Sequence, residues 1–352
     1  MKTPSLRLRP FAAAILCSLM APALFAQTAT TTPVGFVTVT IPAASDSSTP
    51  SNTVVSIPLY GTADYVSTVA TIDSTTQFTL TGAAWTPGAF ADATAPRLVR
   101  VKTSTTAAHV GKFFLIAANT TNQLTVTLST TVADIATVLS VGDSCEVVPA
   151  NTLGSVFGTA AKPPTLTGGI SPNVADNVLI FDGTTWQTYF WTGAVGSPVN
   201  IWKKTGPLDR SGTVIFPDEA VFVIRRDTAA VAAVTLMGTV PSTAEQTDIA
   251  PDGSTFLSNR FPVDATLGGL GLQNLPSWVA GTSPTTADNV LIFDGTTWQT
   301  YFWTGAVGSP VNIWKKTGPL DRSSTPIPTG TGVFIIHAGA AATLSQALPY
   351  VP

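Results

Sequence analysis

The chain has 352 residues, of which 44 % are hydrophobic and 11 % charged, and its formal net charge is −3. This length predicts two or three domains with buried cores. The chain is too apolar to be disordered, and its 28 Gly and 27 Pro interrupt it too often for a long-helical fold. Because the net charge is weakly negative and the sequence has no basic patch, the composition argues against a nucleic-acid partner.

Residues 1–26 are predicted to be a cleaved signal peptide. Lys2, Arg7 and Arg9 precede the apolar stretch 11–25, and Ala26 stands at the expected cleavage site. The stretch is short for a bilayer span, and a polar run follows it. We therefore expect export to the periplasm, the cell surface or the medium. No later segment predicts a transmembrane span.

Cleavage would leave 14 basic against 20 acidic residues, and Cys145 as the remaining cysteine. One cysteine forms no internal disulfide, so packing or assembly must stabilise the exported chain. Since Cys145 begins a short apolar run, we expect a free, buried thiol in a strand.

The region before residue 150 is predicted to contain a Thr/Ser-rich entry segment, 27–60, and a small domain, 61–150. Short strand patterns separated by turn residues indicate a small antiparallel barrel or sandwich in this domain. These patterns lie at 66–72, 77–80, 98–101, 112–117 and 123–128. One or two helical turns are expected within 134–141. The entry segment loosely resembles 240–262, so one interpretation places the barrel as an insertion in the first of two repeats.

A long segment occurs twice. Residues 175–211 and 287–323 are identical over 37 positions, at an offset of 112. Weaker similarity extends the repeat to a first β unit at 151–240 and, after a linker, a second within 241–352. Because each unit alone is small for a stable core, we predict an all-β protein whose two homologous units form a pseudo-symmetric pair.

Within the repeat, strands are predicted at 177–181 and 185–191. Asp182-Gly183 between them predicts a type I′ hairpin turn, with positive φ at both residues. Further strands are expected at 200–203, 220–225 and 234–238. Lys203-Lys204 and Asp209-Arg210 are expected to form a solvated rim.

Alternation gives the second hairpin strand two aromatic faces. Trp186, Thr188 and Phe190 lie on one, and Gln187, Tyr189 and Trp191 on the other. Either the strand is covered on both sides, or one face is a binding surface.

The candidate ligand-binding or interface residues are aromatic, because Trp and Tyr stack on sugar rings and anchor protein interfaces. They are Trp186, Tyr189, Trp191 and Trp202 in the first copy, and Trp298, Tyr301, Trp303 and Trp314 in the second. The alternative is that these rings form the cores of small β units.

Catalytic patterns are scarce. Of the two histidines, His109 stands alone in a Thr/Ala loop, and His337 aligns with Arg225 of the other copy. No zinc motif or nucleophile elbow is present. A carboxylate pair for glycoside hydrolysis would come from Asp176, Asp182, Asp209, Asp218 and Glu219. We predict no catalytic residue, no cofactor and no metal site.

Several motifs carry a family resemblance. They are Val-Ser-Ile-Pro-Leu at 55–59, Gly-Asp-Ser-Cys-Glu-Val-Val-Pro at 142–149, Thr-Leu-Gly at 152–154, the Asp-Gly-x-x-Trp hairpin, and Pro217-Asp218 before a strand. With the signal peptide, the chain resembles an uncharacterised family of secreted verrucomicrobial β-rich proteins. The resemblance implies export from a bacterium and does not imply an activity.

From these observations we expect an exported, non-enzymatic structural or adhesion protein, acting at the cell surface or outside the cell. The first alternative is a carbohydrate-binding module that uses the paired aromatic hairpins. The second is a secreted glycoside hydrolase. Expected partners are surface glycans or other copies of the chain.

Overall fold

A computed structural model describes residues 33–46, 48–129, 131–229 and 231–351. The predicted signal peptide lies outside these residues. The described fold is all-β and its strand pairs are antiparallel, as predicted. It comprises a closed barrel and two five-stranded sheets.

The barrel has six strands and confirms the barrel prediction. Its strands are β3 (Tyr65–Ile72), β4 (Gln77–Leu80), β5 (Arg97–Thr103), β6 (Phe113–Asn119), β7 (Gln123–Thr127) and β8 (Ser144–Pro149). They close in the order β3-β4-β7-β6-β5-β8, which leaves no free sheet edge. Ile135, in a single 3-10 turn, packs into the same core, and Cys145 is free and buried there.

The first β unit is built from strands on both sides of the barrel in sequence. Its elements are β1 (Val34–Ile41), β2 (Ser51–Ser56), α1 (Leu153–Phe157), β9 (Asn177–Phe181), β10 (Trp186–Trp191), β11 (Trp202–Lys203), β12 (Ala220–Arg225) and β13 (Ala232–Thr239). The sheet order is β11-β10-β9-β12-β2, and β1 pairs with β13 as a separate ribbon. The entry segment therefore completes the first unit, and the barrel is inserted between β2 and α1.

The second unit repeats this architecture without an insertion. Its strands are β14 (Glu245–Ile249), β15 (Gly253–Ser258), β16 (Ala265–Thr266), β17 (Asn289–Phe293), β18 (Trp298–Trp303), β19 (Trp314–Lys315), β20 (Pro326–Ile327), β21 (Gly332–His337) and β22 (Ala342–Gln346). The sheet order is β15-β21-β17-β18-β19, and β14 pairs with β22. Strand for strand, this matches the first sheet and its ribbon.

The two sheets contact each other through aromatic side chains that repeat with exchanged roles. The ring of Phe181 lies 5.1 Å from that of Phe334, and the equivalent Phe293 lies 5.2 Å from Phe222. Reciprocal contacts of this kind define a pseudo-two-fold axis between the units. Each aromatic pair contributes about 0.5–1.5 kcal/mol beyond its buried area.

Backbone hydrogen bonds follow the same symmetry. The amide of Ser258 donates to the carbonyl of Asp218 at 2.9 Å, and the amide of Ser56 donates to the carbonyl of Gly330 at 2.8 Å. These bonds fix the segments that precede β12 and β21 against the opposite unit.

The hairpin turn differs from the predicted type I′ turn. Gly183 has a φ of +93°, but Asp182 is not among the residues with positive φ. Instead, the Asp182 carboxylate accepts hydrogen bonds from the amides of Thr184 and Thr185 at 3.0 and 2.7 Å. Because the side chain stabilises the turn, positive φ is required at the glycine alone.

Within the described residues, the helices are all too short or too polar to cross a bilayer.

Candidate functional site

Most of the predicted aromatic residues pack inside their own unit. Tyr189, Trp191 and Trp202 lie in the core of the first unit, and Tyr301, Trp303 and Trp314 in or against that of the second. Trp202 and Trp314 are fully buried, and the indole N–H of Trp202 donates to the Gly158 carbonyl at 2.8 Å. Buried rings present no face to a sugar.

Trp186 and Trp298 occupy the contact between the two sheets. Trp186 stacks on Phe334 with ring centroids 5.8 Å apart, and Trp298 stacks on Phe222 at 5.7 Å. Although Trp186 remains 37 % exposed, its ring is already paired. The second hairpin strand is thus covered on both faces, one of the two outcomes that its sequence allowed.

Each hairpin turn leans over the opposite unit and forms one wall of a cavity. Asp182 and Gly183 line a first cavity with Ser254 and Thr255 of β15. Around the pseudo-two-fold axis, the equivalent turn at 294–295 lines a second cavity with β2. The identical hairpins therefore produce two related cavities.

The first cavity lies where the barrel meets both units, and it has a volume of about 330 Å³. This volume falls within the range of small-ligand sites. Its apolar walls include four phenylalanine rings, one or more from each of the three modules: Phe113, Phe181, Phe216 and Phe256.

Two adjacent carboxyl groups of the first unit line this cavity. Burial is the main cause that raises the pKa of Glu219, and the neighbouring Asp218 adds to it. Together they raise this pKa to about 8. Burial likewise raises the pKa of Asp218, despite the nearby cation Arg260. Glu219 accepts one long hydrogen bond, at 3.4 Å from the Phe216 amide. Within the described residues, the Asp218 carboxylate accepts none from another residue. These groups are the least compensated acids of the cavity.

A third carboxyl group, Asp248 of β14, is compensated. Burial opposes the ionisation of Asp248. The Lys112 ammonium and the hydrogen bonds that Asp248 accepts nevertheless hold its pKa below the usual value. Lys112 donates to Asp248 and, at 3.2 Å, to the hydroxyl of Thr343. The one lysine of the cavity wall is therefore already engaged.

Gln246 also lines the cavity, and it is only 3 % exposed. Its side-chain nitrogen donates to Ser345 at 2.9 Å, while its side-chain oxygen has no hydrogen-bond partner. The side-chain oxygen of Gln246 is therefore an unused acceptor of the cavity wall.

The second cavity, of about 480 Å³, keeps the turn residue Asp294 but has no counterpart of Asp218, Glu219 or Asp248. At positions equivalent to Asp218 and Glu219, the second unit has Gly330 and Thr331. By strand register, Thr40 of β1 takes the place of Asp248. Equivalent architecture thus carries different chemistry.

Next to the first cavity, a buried ion network fixes the barrel to the second unit. Arg100 of the barrel binds Glu245 at 2.5 Å and Glu146 at 2.9 Å, and Arg260 binds Glu245 at 2.5 Å. The Arg100 guanidinium also lies 5.1 Å from the ring centre of Tyr60. A glutamate shared by two buried arginines makes the junction rigid, since breaking such a network leaves unpaired charge.

The histidines form no metal site. Within the described residues, no three His, Cys, Asp or Glu side chains are grouped to hold a metal ion. His109 lies 3.3 Å from the Asp143 carboxylate, which also accepts the amide of Ser140. This contact ties together two loops of the barrel.

One group of side chains resembles a Ser–His–Asp catalytic triad: Ser277, His337 and Asp288. The ring Nδ1 of His337 lies 2.7 Å from Asp288, and Nε2 lies 3.4 Å from the hydroxyl of Ser277. Nε2, however, lies closer to the carbonyl of Ala340, at 3.0 Å, and the side chain is fully buried. A base needs a free nitrogen toward its nucleophile. In the first unit, Arg225 pairs with the equivalent Asp176 at 3.3 Å. Arg225 and His337 therefore make equivalent contacts, which anchor β12 and β21 to the hairpins of their own units.

The remaining predicted carboxylate is also structural. Asp209 accepts hydrogen bonds from the amides of Trp202 and Ser211 at 3.2 and 2.9 Å, and so caps its loop.

Sequence reasoning named Asp218 and Glu219 but missed Lys112, Gln246 and Asp248. Lys112 is distant in sequence from Gln246 and Asp248, which share β14, and no motif links the three.

No family model, curated protein or solved structure matches this chain.

Proposed function

We propose that the chain is an exported, non-enzymatic structural or adhesion protein of a bacterial cell surface or extracellular matrix. The observation that carries the proposal is the internal use of its aromatic and buried charged side chains. Trp186 and Trp298 bind the two sheets together, and Arg100, Glu245 and Arg260 bind the barrel to them. The protein is a rigid three-part β body, as a structural role requires.

An exposed apolar face supports the expectation that copies of the chain associate. Phe36 and Met237 are paired across β1 and β13 and are 73 % and 77 % exposed, next to Val34 at 74 %. The same ribbon face carries Thr38 and Thr235 and no charged residue. Contiguous exposed apolar side chains are typical of interaction surfaces.

The proposal is tested with the purified chain from residue 27 onward. We expect self-association in light scattering and binding to cells or matrix of the source bacterium, and antibody labelling should find the protein outside the inner membrane. Phe36→Ser with Met237→Ser should weaken association. A monomeric protein that binds neither cells nor matrix would overturn the proposal.

The carbohydrate-binding alternative is separated by a glycan screen with Trp191→Ala and Trp303→Ala variants. Since Trp191 is buried and Trp303 half-buried, we expect loss of stability and no specific glycan signal. Loss of glycan binding with intact folding would instead favour a lectin.

A further inference from the structure

The geometry points to a binding site for a small primary alkylammonium ion in the first cavity, between the barrel and the two β units. This inference concerns a ligand site and is independent of the proposed structural role. It is based on the cavity, the acceptors that line it and the absence of the paired carboxyl groups from the second cavity.

Three acceptor groups of the cavity favour a ligand that donates hydrogen bonds. Once Glu219 is ionised, above about pH 8, the carboxyl groups of Asp218 and Glu219 and the side-chain oxygen of Gln246 are acceptors with few or no partners. The Lys112 ammonium already binds Asp248. An ammonium group supplies up to three N–H donors and a positive charge, which matches this set.

The apolar walls favour a ligand whose ammonium group carries an alkyl chain. Phe113, Phe181, Phe216 and Phe256 line the cavity, and aromatic faces attract cations and alkyl groups. A bare metal ion would leave these rings unused. It would also lack a ligand set, because no three suitable side chains within the described residues are grouped to hold one. An amine with a short alkyl chain contacts both the acceptors and the aromatic walls.

The second cavity serves as an internal control. It retains the hairpin turn at 294–295 and the opposing strand, but Gly330 and Thr331 replace the two carboxyl residues. We therefore expect one amine per chain, not two.

The probe is pentylamine, titrated calorimetrically into the purified chain at pH 9, where Glu219 is ionised, with 1-pentanol and calcium chloride as comparators. Pentylamine should bind at one site at least about tenfold more tightly than pentanol, because only the amine is charged. Equal affinity for pentanol, or binding of calcium without binding of the amine, would overturn the inference. This comparison needs no variant.

Two variants locate the site. Glu219→Gln, which keeps shape and removes the charge, should weaken pentylamine binding at least about tenfold. Thr331→Gln places the same amide at the equivalent position of the second cavity and should leave affinity unchanged. Asp218→Asn provides a second test should Glu219→Gln unfold. Unchanged affinity in a folded Glu219→Gln protein places the amine elsewhere and rejects the site.

The pH dependence gives a readout that a merely structural glutamate would not produce. The charged groups around Glu219 in the cavity are Asp218, Asp182, Lys112 and Asp248. Pentylamine stays protonated below about pH 10, as a lysine does. Because a high pKa keeps Glu219 protonated below pH 8, amine affinity should rise from pH 6 to pH 9 with proton release. Glu219→Gln should remove this rise, and a flat wild-type profile would contradict the assignment.

Discussion

The two β units share 37 identical residues and one strand order, yet they differ in the ribbons and cavity walls that lie next to these residues. The hairpins, their Asp turns and their tryptophans are equivalent. The ribbons are not: the inner positions Val37 and Leu236 of the first correspond to Glu245 and Gln346 of the second. Identical segments therefore fix local structure, while the neighbours of those segments set the electrostatics.

Glu245 tests this difference with the largest expected effect. Glu245→Ala leaves Arg100 and Arg260 without their shared buried partner, so the free energy of unfolding should fall by about 5 kcal/mol. Val37→Ala, at the equivalent position, should cost about 2 kcal/mol through a cavity. Urea unfolding measures both. Equal losses would mean that the ion network does not distinguish the two ribbons.

The two cores test the equivalence of the sheets. Trp202→Ala and Trp314→Ala each remove a fully buried indole, so each should cost about 4 kcal/mol. We expect the two values to agree within about 2 kcal/mol, the spread that one substitution shows between different buried sites. A much smaller loss for one of them in denaturant unfolding would show that its core is not equivalent.

Glu219 should make stability depend on pH, whereas Thr331 does not titrate. Its pKa is about 8 in the folded chain, against an ordinary value of 4.5. The folded state thus holds the extra proton between these values, and stability falls as pH rises, by up to about 1.4 kcal/mol per unit. Unfolding measured from pH 5 to pH 7.5 should show this decline. Glu219→Gln should reduce the decline, since only the smaller contribution of Asp218 remains, and a decline unchanged in the variant would assign it to another group.

The hairpin turns sharpen the comparison with the smallest effect. Gly183 and Gly295 have φ values of +93° and +96°, with no atom within 4 Å of an added Cβ. Alanine at either site should therefore cost about 1–2 kcal/mol through backbone strain alone. Thermal unfolding of Gly183→Ala and Gly295→Ala should give matching shifts. An effect on one turn alone would indicate that its cavity restrains it.

Much of the local structure was predictable from residue pattern. The apolar run at 177–181 and the alternating strand after it have a period of two, which fixes strand and faces whatever surrounds them. The hairpin turn was predicted in place but not in type, because the Asp182 side chain supplies bonds that a simple turn rule ignores. The strand predicted at 200–203 shortens to Trp202–Lys203.

The sequence by itself determined the all-β class, the barrel strands, the doubled hairpins and a free buried cysteine. These follow from periodicity and composition, which act over a few residues. The sequence offered the inserted barrel as one interpretation, and the tertiary structure decided it by pairing β1 and β2 within the first unit. The tertiary structure alone decided that two equivalent cavities exist. It also brought Lys112, Glu219 and Asp248 together and raised the pKa of Glu219. Segments more than one hundred residues apart meet there, and burial depends on all of them at once.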